Sequence, residues 1–206
     1  MLEAELKVPQ SELLMTAVGA FPDSLIEKEV KREGLPLWKL VDIYINERAV
    51  GYWKEQGYSE PMVDAVLEVT HLPCEHARRL TAVRVFTALP EAESLAAANK
   101  RIQNILRKAG EVGDRVEVAL LAEDAETSLF DAVTALTPRV EADLANLDYT
   151  GALMRLAALK APVDRFFDEV MVMAEEPLVR ANRLGLLNTL GRLMNCVADI
   201  GQLSGK

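Results

Sequence analysis

The sequence predicts an all-α fold: a helical bundle with a smaller helical segment ahead of it. Three observations carry this. Half of the 206 residues are hydrophobic but only 5% are aromatic, and alanine and leucine dominate, which favours packed helices over sheets. In the clearest patterned stretches, apolar residues recur at spacings of three and four. Prolines stand at the start of several runs and glycines at the end, the asymmetry that helix termini favour.

The elements follow in order. Residues 1–34 read as helices broken at Pro9, Gly19 and Pro22, with Ser24 as an N-cap and Gly34 as a stop for the run over 24–34. Leu37, Leu40, Val41, Tyr44, Ile45 and Trp53 give 35–57 one apolar side. A turn follows, in which Ser59 is placed to cap the next helix and Pro61 sits in its first turn. Residues 62–69 are short and buried in character, and 73–89 is a further helix carrying Arg78, Arg79 and Arg84.

The stretch 89–110, LPEAESLAAANKRIQNILRKAG, is the most informative. Pro90, Glu91 and Glu93 open it and Arg107, Lys108 and Gly110 close it, the charge order a helix macrodipole favours. Leu95, Ala98, Ile102, Ile105 and Ala109 form one apolar stripe. Arg101, Asn104 and Lys108 fall on one polar ridge, and Lys100, Gln103 and Arg107 on another. A helix that packs by one side and shows cations and amides on the other can hold a phosphate backbone, although most basic helix faces are only solvated surface.

Beyond Gly110, 111–115 is a loop around Gly113, and 116–124 is a brief extended piece or helix turn. Residues 127–147 form a helix with an acidic outer face and a kink or break at Pro138. Residues 148–174 form the next, containing Pro162, with Leu153, Leu156, Leu159, Val163, Phe166, Phe167, Val170 and Met171 in the core. Met171 and Met173 beside the two phenylalanines resemble a base-stacking platform, but at helical spacing among leucines they read as core. Residues 177–203 form the last helix, with Leu184, Leu187, Leu190, Met194, Val197 and Ile200 inward. The expected organisation is a helical segment over 1–89 and a bundle over 90–206.

Net charge is −9, which argues against a general nucleic-acid binder. Its distribution says more. Residues 1–75 balance to −7, 76–110 to +5, 111–148 to −8 and 149–206 to +1. An acidic body with one basic stretch limits non-specific contact and permits a specific site. Arg180 and Arg183 share a face in the first turns of the last helix, where cations oppose the macrodipole. They need a compensating partner: a nearby acid such as Glu175, Glu176 or Asp168, or an RNA phosphate or base edge.

Catalytic chemistry finds little support. His71, Cys74 and His76 are the one cluster of soft metal-type ligands, but a closed zinc site would lack its fourth, and a helix start with a cysteine inside it is the plainer account. There is no His-Asp dipeptide, no Gly-x-Ser-x-Gly and no phosphate-binding glycine loop. Cys74 and Cys196 read as reduced thiols of a cytosolic protein. No apolar run reaches the length of a membrane span.

The wording of the sequence adds a resemblance. RLTAVRVF followed by LPEAESLAAANKRIQNILRK over 80–108, and PVDRFFDEVMVMAEEPLVRANRLGLLNTLGRLMNCVADIGQL over 162–203, resemble the C-terminal part of the bacterial glycyl-tRNA synthetase beta subunit family. RIQNILRKAGE (101–111) is similar to the opening of the DALR anticodon-binding domain of arginyl-tRNA synthetase. The resemblance is strong from about residue 35 onward. It implies a DALR-like bundle that recognises the anticodon of glycine tRNA within a glycine–tRNA ligase. It places Lys100, Arg101, Asn104 and Arg107 on one side of the RNA site and Arg180, Asn182 and Arg183 on the other. Lys100, Arg101 and Arg107 would hold phosphates, and Asn104, Arg180, Asn182 and Arg183 would meet base edges. It also implies an alpha-subunit partner that uses ATP and glycine, a cytoplasmic setting, no contact with DNA or membrane, and no catalytic residue, metal or cofactor in this chain. The family's chains are several times longer, which implies that this is part of a longer chain. The competing expectations are a helical scaffold that docks a partner subunit without RNA, and a remnant of a metal-dependent hydrolase.

Overall fold

The computed structural model describes residues 7–22, 24, 34–70 and 72–205, and no strand occurs among them. The α-helices are α1 (Gln10–Val18), α2 (Leu37–Glu55), α3 (Glu60–Leu67), α4 (His76–Thr87), α5 (Ala92–Ala109), α6 (Asp124–Ala145), α7 (Tyr149–Leu156), α8 (Lys160–Glu169) and α9 (Pro177–Met194). Tight 3-10 turns at Pro73–Glu75, Val118–Leu120, Ala157–Leu159 and Ile200–Leu203 join or finish them. The body of the helix expected over 24–34, and His71, lie outside the described residues.

α9 is enclosed on nearly every side: Asn182 to Leu187, Leu190, Gly191, Leu193 and Met194 are all buried. A helix apolar around its circumference belongs inside a bundle, and α5 and α6 flank it. α7 and α8 cover α6, α4 packs on α7, and the final turn Ile200–Leu203 is held between α3 and α5. α1 packs on α2, and α2 on α3.

Residues on both sides of the expected 89/90 boundary share one core. Val63, Leu80, Val83 and Phe86 are buried in the same cluster as Leu95, Leu153, Leu187 and Ile200. Polar bonds reinforce this join. The Asp199 N–H donates to the Ala65 carbonyl at 2.7 Å. Arg79 donates to the carbonyls of Cys196 and Val197 at 3.1 and 2.7 Å, while its guanidinium lies 4.4 Å from the Tyr149 ring centroid.

Three helices depart from the sequence expectation, each for a local reason. α6 runs through Pro138 without interruption. Val133 and Val140, buried on either side, hold it in the bundle despite the lost backbone bond. The helix expected over 148–174 is instead α7, a 3-10 turn and α8, followed by extended backbone at Val170. Pro162 lies in the first turn of α8, where a missing N–H costs nothing, so the proline permits a fresh start. The last helix stops at Met194 rather than Leu203. There the chain turns so that Asp199 can accept from Gln103 at 2.7 Å, from Asn99 at 3.4 Å and from the Gly201 N–H at 3.1 Å.

The irregular stretch 112–117 is fastened along α9 by side chains. Asn182 accepts from the Glu117 N–H at 2.7 Å and donates to its carbonyl at 3.1 Å. Asn188 donates to the carbonyls of Val112 and Gly113, and Thr189 to that of Asp114. Gly185 lets the strap lie flat, because a Cβ there would stand 2.7 Å from the Arg115 carbonyl oxygen. Gly185→Ala is therefore expected to cost about 1–3 kcal/mol through forced displacement of backbone. It should appear as a fall in thermal midpoint of roughly 2–4 °C per kcal/mol in a chain of this size.

Candidate nucleic-acid interface

α5 carries the basic stretch, and its ends follow the expected signals. It begins just after Pro90 and stops at Gly110, whose φ of 79° is a conformation that side chains other than glycine's resist. Leu95, Ala98 and Ile102 are buried, with Ile105 and Ala109 packed partly against the core. Asn99 and Gln103 also point inward, to Asp199. Gln103 thus leaves the outward ridge on which its spacing had placed it.

Lys100, Arg101, Arg107 and Lys108 are exposed and Asn104 is half-buried. Arg107 donates to Asn104 Oδ1 at 2.6 Å, which leaves the amide Nδ2 of Asn104 as the end that can donate. Elsewhere on the surface many cations sit beside acids, Arg115 with Glu117, Arg155 with Asp143, Lys160 with Asp164, Arg165 with Glu169 and Arg192 with Asp114, while among the described residues the scattered Arg48, Arg84 and Arg139 do not. The four cations of α5 have no acidic partner of this kind among the described residues. Their charge is uncompensated locally, as an anion site requires.

Arg180, Asn182 and Arg183 are engaged elsewhere. Asn182 is 4% exposed and clamps the Glu117 backbone. Arg183 is 6% exposed. Its Nε and Nη2 bond the two Glu126 oxygens at 2.9 and 3.0 Å, and its Nη1 donates to the Met171 carbonyl at 2.9 Å. Arg180 donates to the Ala174 carbonyl at 3.0 Å. The compensating partner that the macrodipole argument required for Arg183 exists, but it is Glu126, on another helix, rather than Glu175, Glu176 or Asp168. Arg79 is likewise internal, tied to Glu75 and to the C-terminal turn, and so is withdrawn from the basic surface.

Glu126 is completely buried yet charged. Burial pushes its carboxyl up, but the Arg183 guanidinium and the N–H groups of Glu123 and Ala122 outweigh this and hold it below the usual carboxylate range. Burial also pushes the Cys196 thiol up to about 11, so it is an inert thiol at neutral pH. Both cysteines are free. Among the described residues no group of His, Cys, Asp and Glu could hold a metal, and no helix is long and apolar enough to cross a membrane.

The segment 170–174 also differs from expectation. Val170 and Val172 are buried, while Met171 and Met173 are 73% and 58% exposed. Extended backbone has a side-chain period of two, so Met171 is not a core residue. Phe167, read from spacing as core, is half-buried at the α8–α5 border, with the Arg101 guanidinium 4.2 Å from its ring centroid. Its neighbour Phe166 is fully buried.

An all-α bundle with a cationic helix face free of acidic partners among the described residues, and an irregular strap fastened along its central helix, has the form of a helical binding module. The chain belongs to the DALR anticodon binding domain family, whose pattern matches residues 95–200. It is 46% identical over 206 residues to the glycine–tRNA ligase beta subunit of Thiobacillus denitrificans, covering 99% of this chain and 28% of that protein. The beta subunit of Leptothrix cholodnii is 48% identical over 206 residues, with the same two coverages. That of Aromatoleum aromaticum is 53% identical over 163 residues, 78% of this chain and 23% of its own length. The chain thus spans little more than a quarter of the length of these relatives.

The Arg183–Glu126 pair yields a stability prediction with a definite sign. A carboxyl whose folded pKa is lowered contributes stability that is full at neutral pH and lost as pH falls through the folded value. Arg183→Met strands the carboxylate without its cation, and about 3–5 kcal/mol should be lost at pH 7. In that variant only the Ala122 and Glu123 N–H groups oppose burial, so the Glu126 pKa rises from its value in the parent and protonation relieves the deficit. Urea midpoints should show a smaller gap between variant and parent at pH 4 than at pH 7. An equal gap at both would exclude the ion pair as its source.

Proposed function

We propose that the protein recognises tRNA as the anticodon-binding part of a glycine–tRNA ligase beta subunit, in the cytoplasm. The observation that carries this reading is the outward face of α5, where Lys100, Arg101, Arg107 and Lys108 stand without acids beside them in the one clearly positive stretch of an acidic chain. Membership of the DALR family and near full-length similarity to beta subunits support it. Lys100 and Arg107 hold backbone phosphates, and Asn104 offers Nδ2 to a base-edge acceptor in an unstacked loop. Arg180, Asn182 and Arg183 serve the same site at one remove, as the internal ties that hold the bundle's shape. Binding the anticodon orients the acceptor end toward a separate alpha subunit, where ATP and glycine are used. This chain supplies position rather than chemistry.

Titration with glycine tRNA and with an anticodon-substituted version, at two salt concentrations, tests the reading. Affinity should fall with salt along a log–log slope of roughly −2 to −3 if about three or four phosphates are engaged. The substituted tRNA should bind more weakly. Lys100→Glu with Arg107→Glu should reduce affinity by about tenfold or more at low salt and flatten the slope. Equal affinity for both RNAs would remove base reading. Absence of binding would remove RNA recognition altogether and favour a scaffold that docks a protein through this face.

A further inference from the structure

The contact between Arg101 and Phe167 separates Arg101 from the other cations of α5. Lys100, Arg107 and Lys108 extend from the helix with no aromatic ring against them among the described residues. Arg101 lies over Phe167, with its Cζ 4.2 Å from the ring centroid. Phe167 is in turn fixed edge-on against the fully buried Phe166, their centroids 5.6 Å apart at an interplanar angle of 78°. A column therefore runs from the core outward through Phe166 and Phe167 to an exposed guanidinium. The guanidinium carbon stands over the Phe167 ring. Arg101 itself is exposed.

We propose that Arg101 is a stacking surface for a single unstacked nucleobase, backed by Phe167, rather than a phosphate contact. This deepens the tRNA reading above and rests on it. The guanidinium is planar and weakly hydrated, so it stacks on a ring with each of its two faces, which an ammonium cannot do. Contact with Phe167 restricts the side chain, so less rotamer freedom is lost when a base arrives. Asn104, three residues on, lies one turn away on the same side of the helix. A base laid on Arg101 therefore brings its edge toward the Asn104 amide, while Lys100 and Lys108 on the same outward face take the flanking phosphates. Of the other arginine–ring contacts, Arg79 over Tyr149 is tied to internal carbonyls, while Arg48 over Tyr44 and Arg84 over Tyr58 lie on other helices, away from Asn104 and the cations of α5.

The test uses the protein with glycine tRNA carrying 2-aminopurine at each anticodon-loop position in turn, whose fluorescence falls when the base stacks. One position should be quenched on binding. Arg101→Lys keeps the charge, so the salt slope should persist while the quench is lost and affinity drops roughly fivefold or more, the scale of one base stack. Phe167→Leu should have the same effect with Arg101 intact, since the guanidinium loses its backing. Salt-dependent binding with no quench at any position would overturn the stacking role and leave the tRNA reading standing. So would an Arg101→Lys protein with unchanged affinity and quench. If the unaltered protein does not bind the tRNA, both readings fall together.

Discussion

The ion pair between Arg183 and Glu126 is the constraint on which the joint between α6 and α9 depends. Removing two charges from water costs several kcal/mol each, and attraction repays this only when every remaining polar valence is met. Here it is met. Glu126 accepts from Arg183 Nε and Nη2 and from the N–H groups of Ala122 and Glu123. The last two are orphan donors ahead of the first turn of α6, so the same carboxylate caps that helix. The remaining arm of Arg183 holds the Met171 carbonyl. One side chain thus fixes the start of α6, the second turn of α9 and the segment leaving α8. None of these three can shift without uncovering a charge.

This constraint explains why similar residues have opposite fates on α5 and α9. α9 is enclosed, so each polar group on it must find an internal partner or leave a costly vacancy. Asn182, Arg183, Asn188 and Thr189 find theirs in irregular backbone and in Glu126. α5 is covered on one side only. Asn99 and Gln103 on the covered side are drawn into the Asp199 network, while Lys100, Arg107 and Lys108 on the open side are exposed and meet no acid among the described residues. Composition alone does not separate these roles; the neighbour across each face does.

Much of the fold was legible because it is local. The start and stop of α5, the buried stripe of Leu95, Ala98 and Ile102, and the inward Leu184, Leu187, Leu190 and Met194 follow from spacing and terminal residues. What failed depends on distant partners. The macrodipole argument marked Arg183 as needing compensation, but Glu126 lies 57 positions away and no window of sequence shows it. Asn182 and Glu117 are 65 apart. Met171 was misread because a helical period was carried past Glu169, where the chain becomes extended. Phe167 fits a core pattern, and only the arginine across the α5–α8 border reveals its exposed edge.

The same internal ties bear on how a flexible RNA loop can be read at all. Discrimination among bases requires donors and stacking faces that stay in place while the loop adapts, since any ordering of the protein subtracts from the binding free energy. α5 meets this need because it is held from both flanks. Ser94 donates to Asp164 of α8 at 2.9 Å, and Asn99 pairs with Asn195 just beyond α9 at 2.8 Å. Gly191 brings α9 close beneath it, with Ile102 Cγ2 3.3 Å from where a Cβ would stand. Ties at three places along its length brace the helix against its neighbours, so its outward side chains are presented from a backbone fixed by internal contacts.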